Sequence, residues 1–396
     1  MIEIKDKSNC TGCTACASIC PKNAIEMITD EEGFKYPIID KEKCIGCNLC
    51  SKVCPMLKKY KKNNENLEFY AVYNRNEKIK NESTSGGFFT ALAEKIIEDK
   101  GVVYGATFDE NFNVIHCGVE KKEDLYKFRG SKYVQSDLGN TFKSIKELLE
   151  KERKVLFSGT PCQIYGLKSY LQKEYLNLIC VEVICRGTPS PMFYKLYKED
   201  KIKKYKSDIK SLSFREKTYG YNSSTMSIKF KNGKRYNRGH ESDELIKAFL
   251  KGYCSKESCY QCHFKSFSTV GDFKIGDLWN VRNYLGESFQ DGTTLVICCS
   301  EKANEILSKL QDLIIIKNID RNNAEFYNGN GKTTMILDSA PRPKERDTFL
   351  KDLNKIGLIK VKNKYLKMKP KEYIKMKLKP ILYKMNILDK IKSRSK

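Results

Sequence analysis

Eight cysteines fall into two identical runs near the start of the chain, and no other feature limits its folding as sharply. The runs are Cys10-x2-Cys13-x2-Cys16-x3-Cys20-Pro21 and Cys44-x2-Cys47-x2-Cys50-x3-Cys54-Pro55. This is the two-cluster bacterial ferredoxin spacing, in which the fourth Cys of each run ligates the other cluster. One 4Fe-4S cluster is therefore expected on Cys10, Cys13, Cys16 and Cys54, and the other on Cys44, Cys47, Cys50 and Cys20. Close spacing lets one loop wrap three irons, and the following Pro turns the chain away. Thr11, Gly12, Thr14, Ala15 and Gly46 are small, so backbone amides can approach the cluster sulfurs. Zinc asks for four ligands in two pairs, which matches these runs poorly. Ala24–Met27 and Tyr36–Ile39 read as the short strands of a compact ferredoxin-like fold.

The rest of the chain is too long to be an appendage. At about 100–200 residues per domain, 396 residues call for two or three domains. With 40% hydrophobic residues and 19 Phe, a packed core is expected. Seventeen cysteines in a large chain, eight of them in tight repeats, read as metal ligation in a reducing compartment, so a cytoplasmic location is expected. No apolar run reaches the roughly 18 residues of a membrane span, and Cys10 leaves no room for a secretory h-region. Lysine and asparagine crowd residues 58–66, which read as a linker after a 1–57 ferredoxin domain.

Beyond the linker, strands and helices alternate. Glu68–Tyr73 and Gly101–Phe108 read as strands, with a helix between them from about Gly87 to Lys100. Ser83-Thr84-Ser85-Gly86-Gly87 precedes that helix, and outward amides at such a start suit an anion; a capped helix with a Gly turn fits equally. Lys154–Phe157 reads as a strand, followed by a helix with Thr160 and Gln163 at capping-box spacing and Pro161 at its first position. Cys162 falls in the first turn, where the helix dipole favours a thiolate; a buried structural Cys is the alternative. Leu178–Ile184 is the next strand and runs into Cys185-Arg186-Gly187. Ligands in open α/β sheets gather at carboxyl ends of strands, so Cys162 and Cys185 meet there if the two strands are parallel neighbours. Thr225–Tyr236 reads as a hairpin about Asn232-Gly233, and Cys259-x2-Cys262 fits metal binding or redox chemistry.

Taken in order, STSGG (83–87), SKYVQS (131–136), SGTPCQ (158–163), ICRGTPSP (184–191), SCYQC (258–262) and GDFKIGDLW (271–279) resemble the coenzyme F420 hydrogenase/dehydrogenase beta-subunit family. The resemblance covers roughly residues 1–340 and implies an iron–sulfur flavoprotein: an α/β (mixed α+β) catalytic body behind the ferredoxin-like head. It implies FAD near Ser85, Gly86, Gly87, Lys132, Tyr133, Ser136, Gly159 and Thr160, and a third 4Fe-4S cluster on Cys162, Cys185, Cys259 and Cys262. On this reading 67–153 and 154–345 are the two parts of the flavin and cluster body. Two departures stand out: Arg186 where the family often has His, and Trp279-Asn280 where it has Trp-Gly. A cation at 186 would raise a neighbouring cluster's potential or pair with an acidic substrate, so coenzyme F420 is one of several acceptors in play. Some family members are encoded among cell-surface polysaccharide genes. Lys132, Arg186 and Asp277 are the polar candidates for catalysis. Cys117, Cys180, Cys298 and Cys299 read as core residues, Cys254 as a substitute ligand, and His263 as a surface residue able to shuttle a proton.

The net charge of +24 is uneven: residues 360–396 hold fourteen Lys and Arg against two acidic residues, half of the excess. Within the 346–396 tail, Ile374, Leu378, Ile381, Leu382, Met385 and Leu388 share a helical stripe with Lys on the other face. That reads as weak contact with an anionic membrane, peripheral at its inner face, or else as a solvated terminal helix or disordered tail. No nucleic-acid reader motif accompanies the charge. Two functions follow. One is a flavin-dependent oxidoreductase exchanging electrons with a redox partner such as ferredoxin, coenzyme F420 or another hydride carrier. The other is a non-enzymatic relay subunit feeding a separate catalytic partner.

Overall fold

A computed structural model describes residues 2–58, 60, 67–289, 291–329, 335–385, 387 and 388. The head is built on the hairpin β1 (Ile25–Thr29) and β2 (Lys35–Ile39), where both predicted strands lie. The body centres on an eight-stranded mixed sheet. Its strands are β3 (Glu68–Asn74), β4 (Val102–Phe108), β5 (Val114–Val119), β6 (Val155–Gly159), β7 (Leu178–Val183), β11 (Phe273–Leu278), β12 (Thr293–Cys298) and β13 (Ile314–Asn318), in the order β13-β3-β12-β11-β7-β6-β4-β5. The central run β4, β6, β7 and β11 is parallel, and the flanking pairs are antiparallel. Because β4 pairs with β6, residues on both sides of position 153 share one sheet.

Both faces of this sheet are covered, which is why its central strands are continuously apolar. On β6 the two-residue period sends Leu156 to one face and Val155 and Phe157 to the other. The Phe88–Glu98 helix buries Phe88, Ala91, Leu92 and Ile96 on the first face. Helices Thr141–Glu150 and Pro161–Leu171 bury Phe142, Ile145, Ile164 and Leu167 on the second. A second sheet of β8 (Ile209–Glu216), β9 (Thr225–Phe230) and β10 (Arg235–Gly239) contains the predicted hairpin, with Gly233 at φ 83° in its turn. It packs on the Pro191–Tyr205 helix and on Phe349, Leu350 and Leu353 of the Arg346–Tyr365 helix. The segment read as a tail from 346 thus opens as a core helix.

The head is seated on the body through its β1–β2 turn. Arg346 clasps Glu32 with two contacts of 2.6 and 2.5 Å. The Ser190 hydroxyl donates to the Glu32 carbonyl at 2.5 Å while capping the Pro191–Tyr205 helix. Gly33, at φ 86°, lies so close to the Met192 backbone that no side chain would fit. Most of the 58–66 linker falls outside the described residues. Tyr60 within it is held, with its hydroxyl 2.8 Å from Ser169 and its ring edge-on to Tyr165.

Candidate functional site

Four parallel strands deliver their carboxyl ends to one side of the sheet, where open α/β sheets collect ligands. There the body holds a cavity of about 480 Å³, within the range of cofactor and small-molecule pockets. Ser85, Gly87, Lys132, Tyr133, Ser136, Gly159 and Thr160 line it, as do Arg186 and Asp277. Of the residues the resemblance assigned to flavin or catalysis, Gly86 stands behind the wall. Its amide donates to Thr294 Oγ1 at 2.9 Å, and a Cβ there would strike β3. Ser85 Oγ also meets Thr294 Oγ1, at 2.8 Å, so this segment is partly tied to the sheet.

The other motifs are local devices. Thr160 and Gln163 form the capping box, and Gln163 Nε2 then donates to Ser136 Oγ at 2.8 Å. Gln135 of the SKYVQS segment donates to the Thr11 carbonyl in the first cysteine loop at 3.2 Å. In GDFKIGDLW, Asp272 accepts from the Cys180 amide at 2.9 Å. Lys274 forms a buried ion pair with Glu182 at 2.6 Å, and Gly276 leaves room for Ile184.

Asp277 is held by two partners. Its carboxylate pairs with Arg215 Nη1 at 2.5 Å and accepts from Tyr221 at 3.1 Å. Arg215 lies over Trp279 at 4.6 Å, and Trp279 stacks on Tyr221 at 4.8 Å. Arg215 and Trp279 line the cavity too. Arg215 sits 62 positions from its partner, so no sequence window contains both; sequence reading passed over it.

The cysteines gather as three sets. In the head, every pair among Cys10, Cys13, Cys16 and Cys54 is close enough to repel as thiolates. Cys20, Cys44, Cys47 and Cys50 line one small cavity. In the body, every pair among Cys162, Cys185, Cys259 and Cys262 interacts in the same way. Parallel pairing of β6 and β7 brings Cys162 and Cys185 side by side at the cavity wall, whereas Cys259 and Cys262 lie outside its lining. Among the described residues no three His, Cys, Asp or Glu side chains converge on a single ion's position. All seventeen cysteines are free of disulfides. Cys180, Cys254 and Cys298 are buried, Cys117 and Cys299 half-buried, and His263 is exposed.

Cys13 joins head to cavity. It lines the cavity, and it rests on Gly166, where an added Cβ would lie 2.9 Å from the Cys13 Cβ. Gly166 is one turn beyond Cys162 on the Pro161–Leu171 helix, so one helix carries a body cysteine and the seat of a head cysteine. Lys256 bridges the same gap. It is 1% exposed, stands 3.5 Å from the centre of the Tyr36 ring, and feels the charges of Cys10, Cys259 and Cys162.

Burial dominates the electrostatics. It pushes the Cys162 thiol well above its ordinary value and the Cys259 thiol to about 12. The thiolate expected at Cys162 from the helix dipole does not arise on its own, because loss of solvation outweighs the dipole. Burial pulls the Lys132 ammonium down to about 7; its acceptors are the carbonyls of Lys127, at 2.8 Å, and Arg129, at 3.2 Å. Arg186 is also pulled down by burial and donates to the Leu250 carbonyl at 3.1 Å. Among the lining residues Arg129, Lys132, Arg186 and Arg215 are basic and Asp277 is the one carboxylate, with Arg129 paired to Glu82 outside the lining. Arg129 Nε, Arg186 Nε and Arg215 Nη2 are buried without a hydrogen-bond partner among the described residues. A cavity so lined suits an anionic ligand.

Residues 152–322 match the family described as the C terminus of the coenzyme F420 hydrogenase/dehydrogenase beta subunit. Residues 3–60 and 36–85 match two models of a 4Fe-4S dicluster domain. A solved structure of the F420-reducing NiFe hydrogenase complex from Methanosarcina barkeri aligns at a TM-score of 0.44 and 19% identity, covering 64% of this chain and 82% of that one. None of the curated proteins matches the chain. Residues 152–322 are thus similar to the C-terminal part of coenzyme F420 hydrogenase/dehydrogenase beta subunits, and with its 4Fe-4S dicluster head the chain is an iron–sulfur electron-transfer protein related to those subunits.

Proposed function

We propose that the chain is an iron–sulfur flavoprotein oxidoreductase that exchanges electrons between its head and a hydride carrier, coenzyme F420 or another, or a small substrate. The observation that carries this reading is a single cavity lined by Cys13 of the head, Cys162 and Cys185 of the body, and all but one of the residues assigned to flavin. The cationic lining and the orphaned guanidinium atoms support a dinucleotide such as FAD, whose pyrophosphate needs such partners. The three cysteine sets would hold three 4Fe-4S clusters, and Ser85, Gly86, Gly87, Lys132, Tyr133, Ser136, Gly159 and Thr160 would surround the flavin. When bound, the clusters carry single electrons and the flavin converts them to hydride equivalents.

The chain's own residues do the rest. Gly166 and Lys256 hold the head loop against the Cys162 region. Arg215, fixed by Asp277, offers an anion its unpartnered Nη2, and Trp279 supplies a flat wall. Lys132 can hold or release a proton at Nζ near neutral pH, as a group serving proton transfer needs.

Anaerobic reconstitution with iron, sulfide and FAD, followed by metal and flavin analysis, tests the reading. About twelve irons and one FAD per chain are expected, from three four-iron clusters. About eight irons would remove the body cluster. Full iron with no flavin would leave a relay subunit. Cys259→Ser should lower the iron content and leave the head intact; unchanged iron would exclude that ligand.

A further inference from the structure

The Pro370–Lys384 helix meets the body with its charged side. Lys379 forms a buried ion pair with Glu241 at 2.6 Å, Glu372 pairs with Lys247 at 2.7 Å, and the Tyr383 ring lies edge-on to Tyr219 at 5.6 Å. Positions 372, 379 and 383 share one face at helical spacing. The opposite face carries Ile374, Leu378, Ile381 and Met385, which are 56%, 45%, 53% and 59% exposed. A surface helix ordinarily does the reverse, burying its apolar stripe and exposing its charges. Leu388, the last member of the predicted stripe, is buried, and Leu382 half-buried. The exposed stripe is therefore these four residues.

At 100° per residue, Lys371 and Lys375 flank the stripe on one side and Lys377 and Lys384 on the other, all exposed. Lysines in that position lay their stems along an apolar surface and carry the ammonium groups toward anionic headgroups. The surrounding sequence has the same sign, with fourteen basic and two acidic residues in 360–396. No described helix is long and apolar enough to cross a membrane.

We propose that this helix docks the protein on an anionic lipid bilayer, lying in the plane of the interface with Ile374, Leu378, Ile381 and Met385 inserted among the headgroups. The charged face, already paired with Lys247 and Glu241, keeps the body fixed to the helix as it lies there. A bilayer is favoured over a protein groove because the apolar stripe is bordered by cations on both sides. An interface of anionic headgroups satisfies both rows at once, whatever their individual rotamers.

The test is co-sedimentation of the reconstituted full chain with phosphatidylcholine vesicles and with mixed phosphatidylglycerol–phosphatidylcholine vesicles, at low and high salt. Binding to the mixed vesicles is expected to exceed binding to pure phosphatidylcholine by at least about tenfold and to weaken with salt. Two double variants on exposed positions should each weaken it by about tenfold or more: Leu378→Ser with Ile381→Ser, and Lys375→Glu with Lys377→Glu. Equal binding by the Leu378/Ile381 variant would overturn the insertion, and absence of the wild-type chain from every vesicle pellet would overturn the proposal. A concentration-dependent dimer in light scattering, abolished by the same apolar variant, would assign the stripe to a second copy instead and overturn it as well.

Discussion

At the scale of single residues, His116 shows what burial does to a titrating group that has no counterion paired with it among the described residues. His116 lines the cavity on β5 with Nε2 at 3.1 Å from the Ser158 carbonyl and Nδ1 unpartnered among the described residues. Burial, with the Lys132 charge nearby, lowers its pKa from 6.5 to about 4, against a smaller raising effect of the Ser158 carbonyl and Asp137. Between those values the unfolded chain binds the proton and the folded one does not, so stability falls as pH drops through that window. Urea unfolding from pH 7 to pH 5 should show the wild type losing ground to His116→Gln by about 1.4 kcal/mol per pH unit below 6.5; parallel curves would remove the effect. This histidine had no motif around it, and its environment is assembled from distant strands. The cysteines were legible because ligand spacing in a ferredoxin run is local. Asp277 was legible as a polar residue near the site but not as the counterion of Arg215, since their meeting depends on the second sheet packing over the first. The two readings of Cys162, thiolate or buried thiol, stayed open for the same reason, because a helix start can be read from Thr160, Pro161 and Gln163 and the depth of its burial cannot.

At the scale of elements, β3 and three strands of the parallel centre, β4, β6 and β7, were readable with the helix starts beside them, whereas the fourth, β11, was met only as a motif. The predicted starts at Gly87 and Thr160 agree with the Phe88–Glu98 and Pro161–Leu171 helices. The edge strand β13 was missed; it pairs with one strand only, and its short sequence carries little period. Gly166 shows how an element acquires a role its own sequence does not advertise. In a helix interior Gly costs roughly 1 kcal/mol relative to Ala, so Gly166→Ala should stabilise the protein on propensity alone. Here the new methyl would sit 2.9 Å from the Cys13 Cβ and 3.0 Å from its sulfur. Overpacking of this kind costs about 1–3 kcal/mol, so the sign should reverse. Gly166→Ala is expected to lower the unfolding free energy by about 1 kcal/mol and to alter the electron paramagnetic resonance spectrum of the reduced head. A stabilised variant with an unchanged spectrum would show that the helix does not seat Cys13 as described.

At the scale of the whole molecule, the question is what makes a ferredoxin-like head and an α/β body one electron-transfer unit. Two attachments hold the turn end of the β1–β2 hairpin. Lys256 reaches from the body to Tyr36 beside the turn, and the Glu32–Arg346 clasp grips the turn itself. The clasp joins residues 314 positions apart, so neither the ferredoxin spacing nor the basic composition of the last fifty residues could announce it. Arg346 is almost fully buried, and Glu32 nearly so. Removing one partner leaves the other charge desolvated, at a cost of about 3–5 kcal/mol, whereas replacing both with neutral groups costs much less. Arg346→Met should therefore destabilise the protein strongly, and Glu32→Gln combined with Arg346→Met should recover part of that loss. The resulting coupling energy should be at least about 1 kcal/mol in denaturant titrations. If the clasp also aligns the electron path, Arg346→Met should retain the wild-type iron content yet reduce a bound flavin more slowly when electrons are supplied at the head. Additive single and double variants would mean that Glu32 and Arg346 act independently. An unchanged reduction rate in the destabilised variant would mean that Lys256 and Gly166 suffice to hold the head in register.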